Sequence, residues 1–494
     1  MRLSAWAPLI FGLLCAALVF NTQGWNSDSI VPEFVYRDLT TGVSLSGWHF
    51  ASDLLFFPDW PIWFLIRSFT SNLDFALFVY EALIFTSLNY FLLVTFGRER
   101  GAVAIAISTA LWLLIFPAEW RVFVFPAHHG TALVLGLWWA HFYVSREQLN
   151  SRIFLGLALV GGLTAASDPL FGIWFLIPAG IYTLGLLITK LTTTREFFVR
   201  LSLGLATLLV CVSVQKLFLM ITGSQAGLAN QHHSLFDSTD SVVAISRYFY
   251  GFKIKLLALL LGFVLLCRGP LKSFRSFSAA SVVSTIMIVS AMNIWIDSSN
   301  ARYLLPFAVY ICIELTRVIL QLKGSRLYLA CAVLVGVAIS NQAVRFRNES
   351  YETVETNRTG VRCIENSLAE RGLIGESGVA SYWGFKMMLA YETHPLRLRQ
   401  VDEAIAHYGW LANMAWMESS NSNSKYAVIV PRELQIFSSV FKPTEVKNCG
   451  DYFLLIAKSN ASLSFEVSNF SGSSERHNVV SANHRHFDTD TFVD

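Results

Sequence analysis

The sequence predicts an α-helical polytopic membrane protein of about eleven transmembrane helices, followed by a small C-terminal α/β domain outside the membrane. Three observations carry this expectation. Of 494 residues, 54% are hydrophobic and only 14% charged, where soluble domains average roughly 25% charged. Apolar runs approaching the roughly 20 residues needed to cross a hydrocarbon core recur along the first two thirds of the chain. The final third changes composition, with charges, Asn and Ser interleaved among short apolar runs. A mean hydropathy of +0.49, with 39 Phe, 14 Trp and 16 Tyr, excludes a cytosolic enzyme, a disordered chain and a secreted disulfide scaffold. The net charge of +3 is small for this length, so nucleic acid is not an expected partner.

The spans centre near residues 4–21, 73–96, 102–117, 131–145, 153–168, 170–189, 199–222, 255–267, 277–296, 303–322 and 327–343. The first lacks a small-residue cleavage site and reads as a retained anchor. Lys and Arg in short loops mark the cytoplasmic side, because translocating them is unfavourable. With Met1 inside, the inner connections hold Arg98 and Arg100, Arg146 and Arg152, Lys190, Arg195 and Arg200, Arg268, Lys272 and Arg275, then Lys323 and Arg326. The opposite connections carry mainly acids. This alternation predicts an odd number of spans, a cytoplasmic N-terminus and a C-terminal domain outside, in a periplasm or lumen; a multi-pass protein of a bacterial inner membrane is the expected setting.

Three segments follow. Residues 1–344 form the transmembrane domain, with a long first outer loop at 22–72. Residues 345–460 form the soluble extracytoplasmic domain, with a helix at 362–372 and strands at 378–383, 426–430 and 450–458. Residues 461–494, rich in Ser, Asn and His without periodicity, are expected to be disordered. Cys15, Cys211, Cys267, Cys312 and Cys331 fall in apolar runs and read as small hydrophobes. Cys363 and Cys449 share the outer domain, where thiols can oxidise, and are expected to pair. Triplets beginning at Asn348, Asn357, Asn460 and Asn469 fit the N-glycosylation pattern, which has meaning only outside bacteria.

The first outer loop is about 50 residues long, and unstructured loops of that length are usually functional. Its stretch 44–69 alternates aromatics with His49, Asp53 and Asp59, as an amphipathic segment in the interface would; Trp48, Trp60 and Trp63 read more plainly as belt residues at the headgroup level. Asp28 follows the first span closely, with Glu33 five residues on. A carboxylate at the lipid boundary can act as general base on an acceptor hydroxyl, or hold a divalent cation that bridges phosphates. The second loop has Glu119, Arg121 and the pair His128–His129, which suits phosphate contact or proton transfer better than a zinc site. The third is a turn in which Asp168 caps the following helix. The fourth holds Arg247, and the fifth leads into ARYLLPF at 301–307, where Arg302 and Tyr303 open a span; Arg302 can pair with a phosphate or simply snorkel.

This layout resembles the GT-C superfamily of polytopic glycosyltransferases, which includes the protein O-mannosyltransferases and the lipid A aminoarabinose transferases. The shared features are an acid soon after the first span, a long first outer loop, many helices and an outer C-terminal domain; ARYLLPF is similar to the R-Y-x-x-P stretch that opens a late helix in several members. The adjacent Asp-Glu pair of many members is absent, since Ser29 follows Asp28. The resemblance implies transfer of a sugar from a polyprenyl-phosphate carrier to a glycan, lipid or protein hydroxyl on the outer face. Asp28 would deprotonate or orient the acceptor, with Glu33 or Glu119 as second acid. Arg302, Arg247 and Arg121 would meet the carrier phosphate, and Asp53, Asp59, His128, His129 and Tyr303 would line the substrate site. The expected partners are membrane lipid and the lipid-linked donor, and no metal ligand set is assigned. Two other classes compete. A lipid-linked glycan transporter would place ionisable groups inside spans, whereas Glu81, Lys216, Glu314 and Arg317 read as lying near span ends. An accessory protein of cell-surface polysaccharide assembly would use the outer domain, for instance the aromatic stretch 407–417.

Overall fold

The computed structural model describes residues 5–20, 29–50, 54–116, 123, 129–145, 150–222, 253–291, 303–348, 354–394, 396–401, 412–413 and 424–457. The helical part comprises α1 (Ala7–Phe20), α2 (Val31–Thr41), α3 (Asp59–Phe69), α4 (Leu73–Phe96), α5 (Gly101–Ile115), α6 (Gly130–Ser145), α7 (Ser151–Ser167), a π-helical turn (Gly172–Leu176) running into α8 (Ile177–Ile188), α9 (Thr194–Thr222), α10 (Lys253–Cys267), α11 (Phe274–Ala291), α12 (Leu305–Ile319) and α13 (Ser325–Asn348). Each of the apolar runs read from the sequence coincides with one of these helices. Two of them, α4 and α9, are long and apolar enough by themselves to cross a membrane; most of the others are shorter apolar helices.

Local chemistry sets the helix boundaries. Asn72 and Asn150 cap α4 and α7 by accepting from the backbone N–H of Phe75 at 3.0 Å and of Ile153 at 2.9 Å, which satisfies one of the orphan donors of each first turn. Pro32 and Pro306 sit in first turns, where a missing N–H costs nothing. Gly42, at φ 78°, ends α2 in the left-handed region.

Small residues bring the helices close. At Gly162 on α7 an added Cβ would lie 2.5 Å from Val210 on α9, so only glycine permits this crossing. Packing alone does not bury α9: Leu205 is 55% exposed, Leu209 69% and Met220 76%. So apolar a face, uncovered among the described residues, suits a hydrocarbon surrounding or an interaction surface. Glu81, by contrast, lies more than two turns inside α4 and is buried, so it is not at a span end.

The C-terminal part adds α14 (Val354–Glu370), α15 (Tyr382–Tyr391) and α16 (Leu434–Phe441) around the strands β2 (Ser377–Ser381), β3 (Arg397–Val401), β5 (Tyr426–Ile429), β6 (Glu445–Asn448) and β7 (Phe453–Ile456), while β1 (Trp48–His49) pairs antiparallel with β4 (Ala412–Asn413). The larger sheet has the order β3-β2-β5-β7-β6, with β2 parallel to β3 and β5 and the remaining pairs antiparallel. The period of two divides its core. Val379, Ala427, Ile429 and Leu455 pack with Phe437 and Phe441, whereas Ala380, Val428 and Leu454 face the cluster that holds Phe385, Met388, Val361 and Ile364.

A disulfide joins Cys363 on α14 to Cys449 after β6, across 86 residues of sequence. Replacing both cysteines with alanine should cost roughly 2–4 kcal/mol, mainly by freeing the unfolded chain. Thermal unfolding under non-reducing conditions would register this as a lowered Tm, with the wild type falling to the same value once reduced.

This domain is docked on the bundle. Arg37 donates to the carbonyls of Leu389 at 3.0 Å and Ala390 at 3.4 Å. Asp74, at the start of α4, pairs with Arg358 and accepts from the Tyr391 hydroxyl at 3.2 Å. Beside these contacts, burial pushes the Glu392 carboxyl up from 4.5 to about 7, against the opposing pull of the Leu396 N–H and Arg37. The folded state therefore holds the proton more tightly than the unfolded chain. The stabilisation is complete below about pH 4.5 and is lost as pH rises through about 7. Glu392→Gln should flatten that part of the stability profile, as unfolding between pH 4 and 8 would record.

Candidate active site at the loop face

The described end of the first loop, the end of α7, the C-terminal part of α9 and the entry to α12 meet on one face of the bundle. The backbone N–H of Leu55 donates to the Ser167 carbonyl at 2.9 Å, and that of Phe57 to the Ser167 hydroxyl at 2.8 Å. Phe56 stacks on Phe218 of α9 at 4.9 Å, and the Trp174 indole donates to the Tyr303 carbonyl at 3.2 Å.

At the centre of this face lies a buried polar cluster. His129 Nδ1 is 2.8 Å from the Asp168 carboxylate, whose other oxygen accepts from the Leu170 N–H at 3.0 Å. Asp168 thus performs the capping role read from the sequence and also fixes the histidine ring. An ionised Asp168 accepts from Nδ1–H, which leaves the basic lone pair on Nε2, the arrangement needed for a proton carrier. The ring meets Trp174 edge to face at 6.0 Å. Gly130 permits this placement, since a Cβ there would collide with the Phe123 carbonyl.

Trp174 owes its position to a sequence feature four residues on. Pro178 has no N–H to give to the Trp174 carbonyl, and the helix widens there into the π turn. The freed carbonyl accepts from Ser281 on α11 at 2.7 Å. One proline therefore explains the π turn, the link to α11 and the indole that packs on His129.

Several predicted site residues do other work. Glu33 is fully buried, and its two oxygens accept from Arg37 Nε at 2.8 Å, Arg67 Nε at 2.7 Å and Nη2 at 3.1 Å, and Trp63 Nε1 at 3.1 Å. Against expectation, it is the hub that holds α2 to α3, with its acceptor sites committed to protein donors. Asp59, expected to meet substrate, is 1% exposed and accepts from the hydroxyls of Tyr80 and Thr131, tying α3 to α4 and α6. Trp48, Trp60 and Trp63 are buried, so they are interior packing and not a headgroup belt. The Trp48 indole is held by Asp38 at 2.8 Å. Tyr303 is half-buried against the core of the bundle, and its carbonyl accepts from Trp174.

Asp28, Glu119, Asp53, Arg121, His128, Arg247 and Arg302 lie outside the described residues. Asp28 immediately precedes Ser29 and Ile30, both buried at the entry to α2. Among the described residues no three His, Cys, Asp or Glu side chains gather as a metal site would require. The sequence signals missed were Asp168 as the partner of His129, Ser167 as the anchor of the first loop, and Pro178 as the cause of the π turn.

No protein-family model and no curated protein matches the chain. Among solved structures, the chain is similar to that of ArnT from Cupriavidus metallidurans bound to undecaprenyl phosphate, with a TM-score of 0.58 and 12% sequence identity, over 93% of this chain and 99% of that one. At that identity the likeness is one of overall fold alone.

Proposed function

We propose that this chain is an integral membrane glycosyltransferase that takes a sugar from a polyprenyl-phosphate donor and passes it to a glycan, lipid or protein hydroxyl at the loop face, which is the outer side of the membrane. The observation that carries this reading is the buried His129–Asp168 pair, beside Ser167 where the first loop is anchored, in a fold similar to that of ArnT. In this reading the eleven apolar helices cross the bilayer, and Asp28 is the base that deprotonates or orients the acceptor. Glu119 is the second acid in place of Glu33. Arg121, Arg247 and Arg302 neutralise the carrier phosphate, while Asp53, His128 and Tyr303 border the sugar. His129, oriented by Asp168, relays the acceptor proton through Nε2.

Two experiments test the assignment. A deletion strain should lose one class of surface glycan and accumulate its lipid-linked precursor; an unchanged glycan profile would sink the reading. Single cysteines placed in the 22–72 loop should be labelled by an impermeant thiol reagent from outside, and labelling from the cytoplasm alone would reverse the topology.

One observation favours a second reading, a lipid-linked glycan transporter. Glu81 is 1% exposed within α4, and neither of its carboxylate oxygens has a hydrogen-bond partner among the described residues. Ionisable groups inside spans often mark transport pathways.

A further inference from the structure

Trp174 is fully buried where the π turn meets three neighbouring elements. Its carbonyl accepts from Ser281 of α11 at 2.7 Å, its ring meets His129 just before α6 edge to face at 6.0 Å, and its indole N–H donates to the Tyr303 carbonyl at the entry to α12 at 3.2 Å. A buried indole N–H needs an acceptor, and the sequence around Tyr303 suits that carbonyl to the task. Pro306, three residues on, has no N–H to give it, and the indole supplies a donor in its place. The proline of ARYLLPF thus acts at α12 as Pro178 acts at the π turn. In each case a carbonyl that the following proline cannot serve is bound by a side chain of another element.

The two ends of the indole touch groups with different tasks. On the transferase reading, His129 relays the acceptor proton, whereas Tyr303 borders the sugar and follows Arg302, the partner of the carrier phosphate. Reaction sites tolerate only about 0.5 Å of misplacement between such groups. A rigid ring with two torsions, fixed from behind by Ser281, sets their spacing with little freedom to drift.

We propose that Trp174 is a positioning residue that holds the donor-binding entry of α12 at a fixed distance from the His129–Asp168 pair. The inference rests on the transferase reading. It makes a separable demand on that reading, because the N–H serves the α12 side and the ring serves the histidine side.

Two substitutions in the purified full-length protein separate the sides. Retention of undecaprenyl phosphate is read by native mass spectrometry, and transfer from a labelled polyprenyl-phosphate sugar is followed across pH. Trp174→Phe keeps an aromatic ring beside His129 and removes the N–H. Its KM for the donor and its Kd for undecaprenyl phosphate should both rise about three- to tenfold, as loss of one neutral hydrogen bond gives, with kcat and its pH profile those of the wild type. Trp174→Leu removes both contacts and should add a lower kcat and a displaced pH profile. Wild-type KM and Kd in Trp174→Phe would overturn the proposal while leaving the transferase reading intact. So would a loss confined to kcat and accompanied by a lowered Tm, the mark of packing alone. A wild-type protein that neither retains undecaprenyl phosphate nor transfers sugar would overturn the transferase reading, and the proposal with it.

Discussion

Replacing Asp28 with alanine or asparagine should reduce sugar transfer by about 10²–10⁴-fold, the range associated with a positioned general base, while leaving the Tm of the purified protein unchanged. Both substitutions are needed. Alanine removes the side chain, whereas asparagine keeps its size and removes only the ability to take a proton. Equal losses in the two would place the effect on the charge. Unchanged transfer in both would remove Asp28 as the base and direct attention to Glu119. The argument for Asp28 is positional: it stands one residue before the buried Ser29–Ile30 entry to α2, a helix anchored at its first turn by Glu33.

Glu33→Ala should instead unfold the loop face. It would leave Arg67, 10% exposed, beside an uncompensated hole, and would free Arg37, 38% exposed. Breaking a buried pair by removing one partner costs about 3–5 kcal/mol, and the Trp63 indole would lose its acceptor as well. The two arginines are not equal. The Arg67 pair is shielded from water and should show most of the loss on Arg67→Ala, whereas the exposed Arg37 pair should contribute less than about 1 kcal/mol through its charge. Arg37→Ala would also remove the donors to Leu389 and Ala390, so it should loosen the C-terminal domain more than the bundle. Thermal unfolding combined with limited proteolysis separates these effects. A Glu33→Ala protein with wild-type Tm and no transfer would contradict the structural role and restore Glu33 as an acid in the reaction.

The helices of the bundle were legible in the sequence because each is an apolar run bounded by basic loops or cap residues, and hydropathy reads such runs directly. The long first loop was less legible. The segment 44–69 reads locally as amphipathic, yet Trp48, Trp60 and Trp63 face protein. The partners that cover them, such as Phe218 and Tyr80, are remote in sequence. The same distance hid the role of Glu33. Its i,i+4 neighbour Arg37 can be read from spacing, but the Arg67 that decides its burial lies 34 residues away. In the C-terminal domain, the central strands β2, β5 and β7 were visible as apolar runs. The strands β3 and β6 were not, because RLRQV and EVKN at the sheet edges carry the charged side chains that keep an edge soluble. Within the site, the His128–His129 pair was legible as chemistry, but the choice of His129 by Asp168 depended on how two loops meet.

The central claim is that sugar leaves a lipid carrier at the loop face, and one reconstitution tests it. The purified protein would be placed in phospholipid vesicles containing a polyprenyl phosphate with a labelled sugar and a mixture of acceptor glycans, lipids and peptides. Transfer predicts that label moves from the lipid into an acceptor, only when the protein is present and only with the acceptor on the side of the 22–72 loop. Label that crosses the bilayer while still attached to its carrier would contradict transfer and identify the chain as a transporter.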